Sequence, residues 1–418
     1  MPATDPSLRS RAPIAHPHTG RSNAPRLRVG VIGCGGRGSG AAADAVEAAP
    51  NVEIYAMADL FRDRLQRSVE QLRKYVSKGF NVPQERRFSG FDAYKEVLAT
   101  DVDYVILATP PHYRPRQLRA AVEADKHVFF EKPAAVDPPG AKHVLETGKT
   151  AEKKGLSLVT GTIYRRQDSF VQGVQRIHDG QIGDPLVAQA FYLTGPVWLR
   201  ERKPGMSDME WQCRNWYHFT WLSGDHIVEQ FVHNLDTINW ALQGHPVKAE
   251  ATGGRQIRVD ASSGHIYDHF SVVYTYPNDV KVRAMCRQME QTAPNVSNRI
   301  EGTEGRIDLN PSKTIITDKS GETVFEKKKG DADPYVAEHT DLIESIRQGE
   351  PINEAEQSAH STLTGILGRE AAYTGQTITW DELMQADQLD LGPDSYTFGS
   401  APTPPIPQPG QTTLQRTL

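Results

Sequence analysis

The sequence predicts two domains: an N-terminal doubly wound parallel α/β sheet, then an α+β domain built on a large open antiparallel sheet. Three observations carry this. A chain of 418 residues is too long for one ordinary core. Over 26–163, short apolar runs alternate with helical spacing, as strand–helix–strand units require. From residue 164 the patterning switches to period two, with turn residues between the runs.

Taken in order, residues 1–25 are rich in Pro, Ser, Arg and Ala without periodicity and read as a disordered arm. The first strand is Leu27, Val29, Val31, Ile32. It turns through Gly33-x-Gly35-x-x-Gly38 into an alanine-rich helix, Ser39–Ala49. Gly33 permits the tight turn, Gly35 lets a pyrophosphate approach the backbone, and Gly38 lets helix and strand pack closely. Gly36 and Arg37 open the helix, whose free N–H groups and positive dipole end face the phosphates. A second strand, Val52–Ala58, ends in Asp59, 21 residues beyond Gly38, where a ribose 2′-hydroxyl needs an acidic partner. These residues form a dinucleotide-binding Rossmann unit. Arg62 offers a charge for a 2′-phosphate, but Asp59 would repel one, which favours NAD over NADP.

Leu60–Lys78 and Phe91–Ala99 read as helices. Asp103–Leu107 is a strand ending at Ala108-Thr109-Pro110-Pro111-His112. Proline ends the strand there, and ligands of open parallel sheets bind outside the carboxyl ends of strands. Thr109, Pro110 and His112 are therefore expected along the cofactor. Helix Arg116–Ala124 and strand His127–Phe130 follow, the latter ending at Glu131-Lys132-Pro133 on the same edge. A helix (about 140–154) and strand Leu156–Thr160 complete the nucleotide domain. Tyr164 and Arg166 come just after its last strand, near the interdomain cleft, so Arg166 is a candidate contact to cofactor or substrate and Tyr164 to substrate.

The second domain, 164–391, opens with helix Ser169–His178. Strands are expected at Leu186–Leu193, Lys248–Gly253, His269–Tyr276, Val280–Cys286, Arg306–Leu309 and Thr314–Thr317. Helices Pro334–Gln348 and Ala355–Thr374 close it, with Gly375 as the C-cap. The tail 392–418, rich in proline, is expected to be extended, either wrapping a partner subunit or lying loose.

Composition bounds the function. A net charge of −5 argues against a general nucleic-acid surface. No apolar run approaches the ~18 residues needed to span a membrane. The three cysteines form neither a zinc pattern nor a disulfide framework. Without an apolar leader run in the arm, the cytoplasm is the default compartment; a leader missing from the sequence would make it periplasmic.

Two further constellations stand out. In 224–240, helical spacing places His226, Glu229, His233 and Asp236 along one face. Metal ligands two turns apart on one straight helix rarely converge on one ion, so no metal is expected. Between Trp198 and Trp221 lie four of the six tryptophans, with Arg200, Arg202 and Arg214 among them. Aromatic faces pack on sugar C–H faces, which makes Trp198, Arg214 and Trp216 substrate candidates; the alternative is a core or a subunit interface.

The fingerprint Gly33–Gly38, Asp59, Ala108-Thr109-Pro110, Glu131-Lys132-Pro133 and His233-x-x-Asp236 occur in this order. Together they resemble the Gfo/Idh/MocA oxidoreductases, over nearly the whole chain from Arg26 to about Leu391. Arg214-Asn-Trp-Tyr, Ser223-Gly-Asp-His-Ile-Val-Glu-Gln and Gly368-Arg-Glu-Ala-Ala-Tyr-Thr-Gly look like a bacterial branch of mostly unassigned substrate, whose members often carry a twin-arginine leader. The resemblance implies that Lys132 lies beside the nicotinamide and the reacting carbon, where a cation stabilises a developing alkoxide. It matches His233 to the family's catalytic histidine, the general base. The residue four before that histidine is usually Asp in the dehydrogenases and is Glu229 here. Glu229 is expected to orient His233 or hold a substrate hydroxyl, with Asp236 supporting His233 from behind. Pro133 is a candidate for a cis bond.

The expected activity is NAD-dependent hydride transfer at a secondary hydroxyl or ketone of a sugar, cyclitol or glycoside. An alternative is a glycosidase that oxidises, eliminates and re-reduces its substrate on a tightly held NAD. A third is a non-catalytic NAD-binding sensor. The resemblance further implies a homodimer or homotetramer paired through the open sheet face.

Overall fold

A computed structural model describes residues 24–330 and 332–414. The arm expected over 1–25 lies outside them apart from its last two residues. Six parallel strands form the first sheet: β1 (Leu27–Ile32), β2 (Val52–Asp59), β3 (Arg87–Ser89), β4 (Tyr104–Leu107), β5 (His127–Phe130) and β6 (Leu158–Thr160), in the order β3-β2-β1-β4-β5-β6. The order reverses between β1 and β4, which opens a crevice at their carboxyl ends. Buried aliphatic side chains of β1, β2, β4 and β5 fill both faces, as a sheet covered on both sides requires. Edge strand β3, three residues long, had no apolar pattern to announce it.

The second sheet comprises β7 (Pro185–Thr194), β8 (Lys248–Gly254), β9 (His269–Thr275), β10 (Lys281–Gln288), β11 (Asn295–Gly302), β12 (Gly305–Asn310), β13 (Lys313–Asp318), β14 (Thr323–Lys328) and β15 (Ile378–Thr379). Its order is β14-β13-β12-β11-β7-β10-β9-β8-β15. The expected antiparallel pairing holds except between β7 and β10, which run parallel. After β7 the chain makes a long helical excursion, re-enters at β8, and returns to β7 through β9 and β10. That crossover is what parallel neighbours need. On β10, Val282, Ala284 and Cys286 are buried, while Met285 faces outward and is 40% exposed.

Helix Ala355–Thr374 is buried nearly all round. It packs on helix Pro138–Lys154 of the first domain and on β8 and β9 of the second. Its small residues allow this: a Cβ on Gly368 would stand 2.1 Å from the Tyr274 hydroxyl. Helix Pro138–Lys154 itself is set by Asp137, whose carboxylate accepts the Gly140 N–H at 2.8 Å, and by Gly155 at a left-handed φ of 66°.

The single helix expected over 224–240 is two: His226–Glu229 and Val232–Leu242, broken at Gln230–Phe231. The tail, expected to wrap a partner or lie loose, instead lies on its own chain as far as Leu414. The Tyr267 hydroxyl donates to the Pro407 carbonyl at 2.8 Å, and Gly410 N–H to the Thr374 carbonyl at 2.8 Å.

Candidate active site

The glycine turn has the shape its sequence implies. Gly33 has a φ of +97°, and a Cβ there would stand 2.6 Å from the backbone of Ala108 and Thr109. A Cβ on Gly38 would stand 1.8 Å from the Gly33 carbonyl oxygen. Gly35 has no protein atom within 4 Å of its Cβ position, so the backbone there is open to a ligand. Helix Gly36–Ala48 starts at that opening without a side-chain cap, leaving its first N–H groups free for an anion. These features fit a pyrophosphate.

A cleft of about 340 Å³ lies over this turn. Gly33, Gly35, Gly36, Arg37, Asp59, Thr109 and Pro110 line it, as expected. The Asp59 carboxylate accepts the Cys34 N–H at 2.7 Å and the Phe61 N–H at 2.8 Å. It thereby braces the turn, and each oxygen keeps a lone pair for a ribose hydroxyl. Burial raises its pKa from the ordinary carboxylate value. Arg62 is exposed and outside the cleft lining; Arg64, which sequence reasoning passed over, lines it beside Asp59. Arg37 is held back by Glu131 at 2.7 Å and Asp44 at 2.9 Å; Glu131, which the sequence also offers as a cofactor contact at the end of its strand, is engaged by this pair.

His112 is placed differently from expectation. Its Nε2 lies 2.7 Å from the Tyr396 hydroxyl, and its ring packs edge-on to Trp221. It holds the returning tail and is not part of the cleft lining. Burial pushes its pKa down to about 4.

The second cluster forms at the carboxyl end of β5. The Lys132–Pro133 peptide is cis. Lys132 Nζ donates to Glu229 Oε1 at 3.0 Å and to the Glu229 carbonyl, and the two side chains are only 11% and 9% exposed. Glu229 Oε2 is buried and has no hydrogen-bond partner among the described residues. Burial and the nearby Lys132 charge hold the His233 imidazole well below its ordinary pKa, so it is neutral. Tyr164 stacks on Phe170 at 4.3 Å and meets the His233 ring at 5.5 Å. Lys132, Glu229, His233 and Tyr164 are thus brought together. Glu229 and His233 stand on either side of the break, both near Lys132, while His226 packs into the core against Phe270.

Other expectations are redirected. Asp236 does not back His233: it takes both arms of the Arg165 guanidinium, at 2.8 and 3.0 Å, and the Ser361 hydroxyl at 2.8 Å. Arg166 is bound by Asp341 at 3.0 Å and Glu354 at 2.7 Å, an ion-pair cluster within the second domain, with only its Nη1 left without a partner among the described residues. Trp198 and Trp216 line the dinucleotide cleft and lie apart from the Lys132 cluster. Arg214 binds Asp63 at 3.1 Å and Glu210 at 3.0 Å. Sequence reasoning missed Tyr192, whose hydroxyl donates to Gln230 at 2.9 Å beside Glu229. It sits in an ordinary alternating strand, with no local mark to find it by.

Residues 27–161 match the oxidoreductase family with an NAD-binding Rossmann fold, and residues 170–308 match the GFO/IDH/MocA C-terminal domain. The chain belongs to the GFO/IDH/MocA oxidoreductase family. Among relatives in this family, myo-inositol 2-dehydrogenase of Thermotoga maritima is 22% identical over 368 residues, 86% of this chain and 100% of that protein. A glycosyl hydrolase family 109 protein of Streptomyces coelicolor is 31% identical over 170 residues, 40% of this chain and 34% of that protein. Levoglucosan dehydrogenase, solved with NADH and levoglucosan, shares the fold at a TM-score of 0.67 and 18% identity, covering 85% of this chain and 99% of that one. As a GFO/IDH/MocA member the chain is an oxidoreductase with NAD as its cofactor. Among the described residues no helix is long and apolar enough to cross a membrane.

Proposed function

We propose that the protein interconverts a secondary hydroxyl and a ketone on a sugar, cyclitol or glycoside. The observation that carries the reading is the buried Lys132–Glu229 pair with neutral His233 beside it, on the cofactor edge of the parallel sheet. NAD, when bound, supplies the acceptor for the substrate's hydride. The residues handle the proton. His233 takes it from the reacting hydroxyl, a role its neutral imidazole suits. Lys132 stabilises the alkoxide that develops on that oxygen. The unpartnered Oε2 of Glu229 accepts a hydrogen bond from a second hydroxyl, which favours a polyhydroxylated ring. Tyr164 supports the His233 ring. The relatives named for inositol and levoglucosan support this substrate class.

The test is to follow reduced nicotinamide absorbance over a panel of cyclitols, sugars and glycosides. Net NADH from one class, lost in Lys132→Met and His233→Ala, is the expected result. No turnover on any polyol would refute the substrate class. The second reading, transient oxidation by a glycosidase, has the partial family 109 match behind it. It would show glycoside cleavage without net NADH. We further propose pairing of subunits into a homodimer or homotetramer through the open sheet face, where Val273 and Met285 are exposed.

A further inference from the structure

The cleft over the glycine turn has a wall from the second domain. Trp198, Arg200 and Trp216 face Asp59, Phe61 and Arg64 across it. This is the ribose end of the site, because Asp59 ends β2. The reacting end lies elsewhere, at Lys132 and His233.

The wall is fastened to the nucleotide domain. Arg214 binds Asp63 at 3.1 Å, and its guanidinium lies 3.9 Å over the Phe61 ring. Asn215 holds the segment's own shape, accepting the Arg200 N–H at 2.7 Å and donating to the Arg200 carbonyl at 3.2 Å. The returning tail adds a brace: Phe398 stacks on Phe61 at 5.9 Å, and the Gly399 carbonyl accepts the Met209 N–H at 3.2 Å.

The wall also has the chemistry of a base-binding surface. Trp198 meets Trp216 edge-on at 6.2 Å, carries the Arg200 guanidinium 5.1 Å over its ring, and stays 42% exposed, so indole and guanidinium together form a partly open surface. Arg64 and Arg200 have no carboxylate in ion-pair range among the described residues, whereas Arg67, Arg202 and Arg214 nearby are all paired. Planar aromatic bases stack on indoles and on guanidinium planes.

We infer that Trp198, Arg200 and Trp216 close over the adenosine half of the dinucleotide, so that both domains hold the cofactor and it is retained between turnovers. This rests on the dinucleotide reading of the cleft. The adenosine can leave only after the segment fastened by Arg214 moves, so release is slow. The aromatic residues that suggest a sugar platform in the sequence line the cleft beside Asp59 instead.

The experiment is displacement of bound NADH by excess NAD, followed by nicotinamide fluorescence, in the wild type, Trp198→Ala, Arg200→Ala and Arg214→Ala. Trp198 and Arg200 are at the surface of the wall, so their variants keep the fold, which thermal melts verify. Reduced nicotinamide mononucleotide, lacking adenosine, is the control ligand. The wild type should keep NADH through gel filtration, and each variant should release it about tenfold faster or more, near the lower end of a lost base–aromatic stack. The mononucleotide should leave all four proteins at one rate. Equal NADH release from wild type and variants overturns the inference while leaving the dinucleotide reading intact. Equal acceleration of the mononucleotide also overturns it. Failure of any nucleotide to bind overturns the dinucleotide reading and this inference together.

Discussion

Replacing Lys132 with methionine should destabilise the protein by about 3–5 kcal/mol, the cost of stranding one member of a buried ion pair. Lys132 Nζ stands 3.0 Å from Glu229 Oε1, with the side chains 11% and 9% exposed. At that separation and an effective dielectric near ~20 the attraction is about 5 kcal/mol, and desolvation of both charges offsets most of it. The intact pair therefore contributes little net stability, but breaking it is costly. Methionine keeps the length and removes the charge. Glu229 then has neither oxygen satisfied, since Oε2 already lacks a partner. Urea unfolding without added nucleotide measures the loss, and thermal melts should fall by roughly 10 °C. The double variant Lys132→Met, Glu229→Met should return to within about 2 kcal/mol of wild type, because no charge is left buried. A Lys132→Met variant within ~1 kcal/mol of wild type, or a double variant that loses the sum of the singles, would refute the account of the pair.

Gly35→Ala should fold with an unchanged melting temperature, because nothing lies near its Cβ, yet lose about tenfold or more in NAD affinity by calorimetry. Gly38→Ala should lower the melting temperature as well, since its Cβ would overlap the Gly33 carbonyl. Asp236→Asn should cost about 3–5 kcal/mol in urea unfolding by freeing buried Arg165, while the pH profile of turnover stays where it was; a shifted acid limb would return Asp236 to a role behind His233. His112, held near a pKa of about 4, stays neutral in the fold while the unfolded chain takes up a proton near 6.5. Its contribution is thus complete above that upper value and is lost as pH falls toward the lower one, by at most ~3 kcal/mol. His112→Gln should flatten the fall in urea midpoint across that window, and an unchanged slope would count against it.

The sequence by itself determined the parallel sheet, the glycine turn and the strand-end residues that face the crevice. Strand and turn are local: Val29, Val31 and Ile32 can only be buried, and Gly33 and Gly38 stand where any Cβ collides with backbone. The motif at Glu131-Lys132-Pro133 likewise sits at a strand end that the pattern announces. What surrounds those residues was decided only in three dimensions. Helical spacing put Asp236 on the face of His233, but the break after Glu229 and the presence of Arg165 from another segment drew Asp236 into a different ion pair. Arg166 and His112 were drawn away from the cleft in the same manner, by Asp341 and Glu354 and by the tail's Tyr396. Trp198 and Trp216 could have faced a sugar, a core or a subunit. Their place beside Asp59 follows from the Arg214–Asp63 and Phe61–Phe398 contacts. Spacing along one helix or strand reports only its own faces, and partners that arrive from 71 or 284 residues away leave no mark on it.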